Sequence, residues 1–281
     1  MIVVTGATGN VGRPLVQALA AAGERVTAVS RNAAAGPVPH GVRQHRADLA
    51  APGSLRPVLD GAEALFLHDT GAGAHLLDVR DILDAARAGG VGRIVLLSSQ
   101  GVATRPQSAS HGGAGRSMEE AVRQSGAAWT ILRPGGFASN AFAWAESVRT
   151  RRTVFAPFGD VGLPVVDPAD IADVAAAALH EEGHAGRTYE LTGPALTTPR
   201  QRAQVIAGAL GEPVTFVEQS AGEARAQMRQ FMPGPVVGTT LSILGAPTPA
   251  EQRISPVTEQ LLGRPARPFA DWVTRNIGAF A

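Results

Sequence analysis

A doubly wound α/β fold, a parallel sheet with helices on both faces, is predicted by three observations. Short β-branched runs alternate with longer segments whose apolar residues recur at helical spacing. A glycine-rich turn follows the first of these runs and opens the first helical segment. With 281 residues, 44% hydrophobic and 17% charged, the chain can form one large domain or a domain with a small appendage.

In chain order, IVV near residue 2 is the first strand and "VGRPLVQALAAAG" the first helix. RVTAV from 25, ALFL from 64, RIVLL from 93 and WTIL from 129 read as further strands, and "AHLLDVRDILDAARAGG" as an intervening helix. After about Arg152 the alternation loosens. "FAPFGDVGLPVVDPADIADVAAAAL" predicts a loop, a short strand and a helix capped by Asp167 or Asp170. "TYELTG" reads as a strand, and "TTPRQRAQVIAGALG" as a helix with Pro in its first turn and Gly at its end. From Val217 onward the pattern is mostly helical, broken by Pro and Gly.

Composition narrows the function. A net charge of +1 without a basic stripe argues against nucleic acid. The lack of cysteine excludes disulfides, thiol catalysis and thiolate metal sites, and suits a reducing, cytoplasmic setting. The chain opens on a strand, so no signal peptide is expected, and no apolar run reaches membrane-spanning length. There is no lysine, so all 25 basic residues are arginine.

"VVTGATGNVGRPLV" places Gly6, Gly9 and Gly12 between the first strand and the first helix. Gly6 permits the tight turn, Gly9 lets the backbone approach a pyrophosphate, and Gly12 allows close helix packing. At the end of the second strand the chain has Ser30, Arg31 and Asn32 where an NAD-selective site usually has an acid. Arg31 can pair with a 2′-phosphate, which favours NADPH/NADP; Arg13 is a second candidate. Asp48, after the third strand, could accept from the adenine amine or cap a turn.

"TGATGNVG", "SSQGV", "EEAVRQSGAAWTILRPGGFASN", "VDPADIADVAAAAL", "YELTGP" and "LLGRPARPFADWV" together resemble the NmrA-like, atypical short-chain dehydrogenase/reductase family, nearly end to end. The resemblance implies a Rossmann-type core in residues 1–152. Residues 153–281 would add the remaining core elements and a mostly helical substrate subdomain, with a lid at about 217–250, all one continuous unit. By position, Gly6, Ala7, Thr8, Gly9, Asn10, Val11 and Gly12 would wrap the pyrophosphate and Arg31 would take the adenosine phosphate. His68, Asp69, Ser98 and Ser99 would lie beside the nicotinamide ribose, and Pro134, Gly135, Gly136 and Phe137 would flank the nicotinamide ring.

Most members of the wider superfamily protonate the product alkoxide with a Tyr assisted by a Lys one helical turn later. Here no lysine exists, and the single tyrosine, Tyr189, lies far along the chain and reads as a packed strand aromatic. In the segment where the pair belongs, the nearest substitutes are His111 and Arg116; Ser99, beside Ser98, could polarise a carbonyl and His111 could donate or orient a proton, or the serines could serve strand-end hydrogen bonding and His111 a surface role. Losing a general acid costs on the order of 10²- to 10⁴-fold. The expected substrate is therefore already electrophilic: a quinone, or an aromatic polyketide carbonyl polarised by a neighbouring phenol, as in antibiotic tailoring. Met228, Phe231 and Met232 suit a small aromatic or polycyclic ligand under a helical lid, or an ordinary core.

The expected protein is a monomer or homodimer without a nucleic-acid or membrane partner. A non-catalytic, NADP-sensing regulator is the alternative to a reductase of C=O groups. An ene reductase is disfavoured by the missing lysine. "HEEGH", His180 to His184, matches a zinc-protease pattern, but Gly183 interrupts the helix and no metal is expected.

Overall fold

The structure, a computed structural model, describes residues 1–32, 38–68 and 77–281. The nucleotide-binding half runs β1 (Ile2–Thr5), α1 (Gly12–Ala21), β2 (Val26–Ser30), β3 (Arg43–Arg46), α2 (Arg56–Leu59), β4 (Ala64–His68), α3 (Val79–Ala88) and β5 (Arg93–Leu97). It continues through α4 (Gly101–Thr104), α5 (Ala114–Arg123), β6 (Ala128–Pro134), α6 (Ala145–Arg151), β7 (Thr153–Ala156), α7 (Pro168–His180) and β8 (Arg187–Leu191). The chain ends with α8 (Pro199–Leu210), β9 (Thr215–Glu218), α9 (Ala221–Met228), α10 (Gly234–Gly245), α11 (Val257–Leu262) and α12 (Phe269–Asn276).

Seven parallel strands form one sheet in the order β3-β2-β1-β4-β5-β6-β8. The order reverses between β1 and β4, and a ligand crevice is expected beyond the carboxyl ends of strands at such a switch. The inner strands are apolar because both faces are covered. Val4, Phe66, Val95 and Leu132 face α1 and α7 through Leu15, Leu19, Ile171 and Val174. Leu65, Ile94, Leu96 and Ile131 face α2, α3 and α5 through Leu59, Ile82, Met118 and Val122.

Local signals set the later helices. Asp167 caps α7 by accepting from Ala169 N, ahead of Pro168, so the capping choice falls on Asp167. Asp170 is instead fully buried and paired with Arg264 and Arg267. Thr198 and Gln201 form a capping box for α8, which ends on Gly211 in the left-handed region. The seventh strand and α7 both lie beyond residue 152 and complete the nucleotide-binding layers. The two-stranded β7–β9 ribbon packs with α6, α8 and α12 around Phe269, Trp272 and Phe280.

Candidate active site

The turn between β1 and α1 has the shape a pyrophosphate needs. Gly6 has φ +62°, and a Cβ there would come within 2.6 Å of the His68 ring. A Cβ on Gly12 would run into the Gly6 carbonyl, which itself accepts from Gly9 N at 2.9 Å. The first turn of α1 holds no acidic residue, and no side chain caps it. The N–H groups of Asn10 and Val11 have no acceptor among the described residues. A helix N-terminus with free N–H groups and room made by glycine fits a diphosphate. Asn10 Nδ2 donates to Ser139 Oγ at 3.1 Å, tying this loop to the turn after β6.

The ends of β1 and β4 meet at the switch point. Thr5 Oγ1 donates to the Phe66 carbonyl at 2.8 Å and lies 3.2 Å from His68 Nδ1. With its proton already given away, Thr5 can only accept from the imidazole, which assigns Nδ1–H and leaves Nε2 a lone pair beside Gly6. Burial, reinforced by Arg31, lowers the His68 pKa to about 4, so the ring is neutral at pH 7. A neutral acceptor at this place suits a ribose hydroxyl. Asp69 lies outside the described residues. Arg31 directly follows β2 and is exposed. Asp48 Oδ1 accepts from Ala50 N at 3.0 Å in the local turn, and the side chain is exposed.

Beyond β5 the two serines diverge. Ser98 Oγ donates to Glu119 Oε1 at 2.7 Å, and Glu119, fully buried, also takes Arg133 and Arg123. Burial alone would raise the Glu119 pKa, but the hydrogen bonds from Arg133, Ser98 and Arg123 outweigh it and hold the group ionised. The Ser98 proton is thus committed to a structural ion cluster. Ser99 Oγ accepts from Gly101 N at 3.1 Å, and its own proton has no acceptor among the described residues. A Cβ on Gly101 would sit 3.0 Å from His111 Cβ and 3.4 Å from Ser99 Oγ, so Gly101 lets these two residues approach one place. Burial pushes the His111 pKa below its ordinary range, against the pull of Glu251.

A set of hydroxyls orients His111 from the lid side. Ser110 Oγ lies 3.0 Å from His111 Nδ1 and donates to Thr239 Oγ1 on α10 at 3.2 Å; Ser108 Oγ lies 3.0 Å from the same threonine. Arg105 grips Glu251 with Nε and an Nη, and its other bonds reach Ser242 and Ala246. Arg116, the other nearby substitute, donates to the Pro106 carbonyl. Pro134 to Phe137 closes the floor: Gly135 N donates to Leu191 O, and a Cβ on Gly135 would meet Gln100 Oε1 at 3.2 Å. Gly136 accepts from Val166, and Phe137 packs on the sheet core.

Helices α9 and α10 lie within residues 217–250, and two of the three large residues singled out there are taken up by the segment's own packing. Met228 and Met232 pack on Ala224, Val237, Leu241 and Phe158, forming the lid's own small core, while Phe231 is 62% exposed. Tyr189 sits mid-strand, and its hydroxyl lies 2.9 Å from His184 Nδ1, away from the phosphate loop. The helix of "HEEGH" ends at His180, and Gly183 has φ +90°. His184 therefore lies past the helix, buried beside Tyr189, rather than at the helix terminus. Sequence reading missed Thr5, Glu119, Glu251 and Thr239, whose roles depend on partners tens of residues away. It also missed Arg202, although an arginine on the stripe Pro199, Ala203 and Ile206 is a visible anomaly.

Known proteins resemble this chain. A family described as NAD(P)H-binding matches residues 6–182. A Streptomyces griseus (4-alkanoyl-5-oxo-2,5-dihydrofuran-3-yl)methyl phosphate reductase is 38% identical, the alignment covering 100% of this chain and 99% of that one. An NAD(P)H azoreductase of Xenophilus azovorans is 29% identical over 100% and 99% of the two chains. The crystal structure of the NADPH-dependent quinone oxidoreductase QOR2 from Escherichia coli, complexed with NADPH, superposes with a TM-score of 0.80 at 27% identity, covering 98% and 99%. The chain belongs to this NAD(P)H-binding family.

Proposed function

We propose that the chain is an NADPH-dependent reductase of strongly activated carbonyl compounds, a quinone or the carbonyl of an aromatic polyketide, in the setting of antibiotic tailoring. The observation that carries this reading is an intact dinucleotide cradle without the usual acid: no lysine exists and the Tyr189 hydroxyl lies against His184. A bound nicotinamide supplies the hydride. The Gly6–Gly12 loop holds the diphosphate, Arg31 pairs with the 2′-phosphate and selects NADPH over NADH, and His68 Nε2 accepts from a ribose hydroxyl. Pro134 to Phe137 forms the floor under the nicotinamide. Ser99 offers its free proton to the substrate oxygen, and His111 sits within reach of the same place to deliver or orient a proton.

This equipment suits a substrate that holds the charge left after hydride addition. A quinone becomes aromatic, and a hydroxy-ketone has its own internal donor. The 38% identity to the Streptomyces griseus reductase favours a second reading of the same site, an acyl-substituted unsaturated lactone. There the new charge spreads over two carbonyls as an enolate, so reduction of the conjugated C=C bond needs neither tyrosine nor lysine.

The test is NADPH oxidation without oxygen against quinones, polycyclic hydroxy-ketones and acyl-butenolides, with product masses recorded. Products gaining two hydrogens, with little turnover on NADH, are expected. Tight NADP(H) binding with no turnover on any of the three classes would favour a sensing regulator instead.

A further inference from the structure

Most partly buried arginines in this chain are neutralised. Arg105 pairs with Glu251, Arg133 with Glu119, and Arg264 and Arg267 with Asp170 and Asp173. Arg93 has no ion pair either, but it donates to the Leu179 and Glu181 carbonyls. Arg202 has neither: it is only 6% exposed, more deeply buried than any of these, yet among the described residues it has no ion pair, and its Nε is enclosed without a hydrogen-bond partner. Its guanidinium carbon lies 5.4 Å from the centroid of the Trp144 ring. Burial pulls its pKa down to about 10, so it remains charged at neutral pH. A largely buried guanidinium whose Nε has no partner forfeits part of its hydration with little in return, unless something anionic completes it.

The surroundings place it close to the site's wall. Arg202 lies on the buried face of α8, next to Ala203, which belongs to the same hydrophobic core as Ala138 and Ala141. Those two alanines belong to the turn Ala138–Trp144, which starts directly after Phe137 and ends on the tryptophan beneath Arg202. Ser139 of the same turn takes the hydrogen bond from Asn10 of the phosphate loop. The guanidinium thus stands on the C-terminal side of a short segment whose other side meets the cofactor loop.

We propose that Arg202 is an oxyanion-binding residue on the substrate side of the site, its planar fork held by Trp144 and reserved for a phosphate monoester or a carboxylate of the ligand. The substrate assignment rests on the reductase reading; the anion site itself does not.

The experiment uses protein saturated with NADPH, so that added anions cannot act at the dinucleotide cradle. Thermal unfolding is followed as methyl phosphate, acetate or chloride is titrated at constant ionic strength, for the wild type, Arg202→Met and Arg202→Lys. The expected result is a saturable rise in wild-type Tm with methyl phosphate and none with chloride. Arg202→Met should not respond, and without added anion should match the wild type or exceed it by about 2–4 °C, because an unpaired buried charge has been removed. Arg202→Lys should respond about tenfold more weakly, since an ammonium lacks the fork. An equal, Arg202-dependent response to acetate would identify the carboxylate as the bound group. A wild type indifferent to both anions, with Arg202→Met less stable, would overturn the proposal and leave Arg202 a packing partner of Trp144.

In a kinetic arm, kcat/KM for a phosphorylated acyl-butenolide relative to its free alcohol should fall about 10- to 100-fold in Arg202→Met. If the wild type turns over neither compound nor any quinone or ketone, the reductase reading fails while the thermal result still decides the anion site.

Discussion

At the scale of single residues, His68 shows how the fold fixes a side chain's chemistry. In the unfolded chain its imidazole takes a proton near pH 6.5, whereas in the folded chain burial and Arg31 delay this to about 4. Between those values the unfolded state binds more protons, so this residue's contribution makes stability rise with pH; the contribution is complete above about 6.5 and lost as pH falls towards 4. The difference amounts to about 3 kcal/mol at full effect. Urea unfolding of the cofactor-free protein at pH 7 and pH 4.5 should therefore show a larger loss for the wild type than for His68→Asn. Equal losses would mean that His68 is already protonated, or open to water, in the folded chain. The neighbouring acid limb from Glu119 has the same sign, because its folded pKa is lowered, but it is common to both proteins and cancels in the comparison.

Elements decide where such residues meet. The β1–α1 turn depends on Gly12 having no side chain, since a Cβ there would strike the Gly6 carbonyl. Gly12→Ala should force the first turn of α1 away from Gly6 and spoil the N–H cradle. NADPH affinity measured by fluorescence titration should fall at least about tenfold, with about 1–3 kcal/mol of stability lost to overpacking. Retained affinity would show that the loop can widen without losing its diphosphate geometry. This turn was legible in the sequence because its chemistry is local: a strand, three glycines and a helix within about a dozen residues. The apolar strands were legible for the same reason. β3, Arg43–Arg46, was not apparent as an apolar run, because an exposed edge strand takes its place from pairing with β2 rather than from an apolar pattern. Ser98 illustrates the limit at the site: its place at the end of β5 is readable, but the carboxylate that claims its proton lies on α5, 21 residues away. The lid shows another limit, since spacing marks Met228, Phe231 and Met232 as helix-borne without saying which of them the helix pair buries for itself.

Over the whole molecule, the C-terminal part is structural. α7 covers one sheet face with Ile171, Val174, Ala175 and Ala178, and it is clamped from outside by Arg264, Arg267 and Arg275 on Asp170, Asp173 and Asp167. Asp170 is completely buried, so pulling the last helices away would strand a carboxylate in the interior, at a cost of about 3–5 kcal/mol. Unfolding of residues beyond 264 and uncovering of the sheet are therefore coupled. Urea denaturation followed by far-UV circular dichroism should coincide with the fluorescence transition, which reports Trp129 beside the sheet core and Trp272 in the C-terminal core. A fragment of residues 1–152 should not fold, because Val4, Phe66, Val95 and Leu132 would face water without α7, and β6 would lose its neighbour β8. Two separated transitions, or a fragment that binds NADPH with native-like dichroism, would mean that the sheet is stable without its second cover. The cofactor cradle and the lid would then be joined only by contact, instead of sharing one cooperative core through which occupancy of either side stabilises the other.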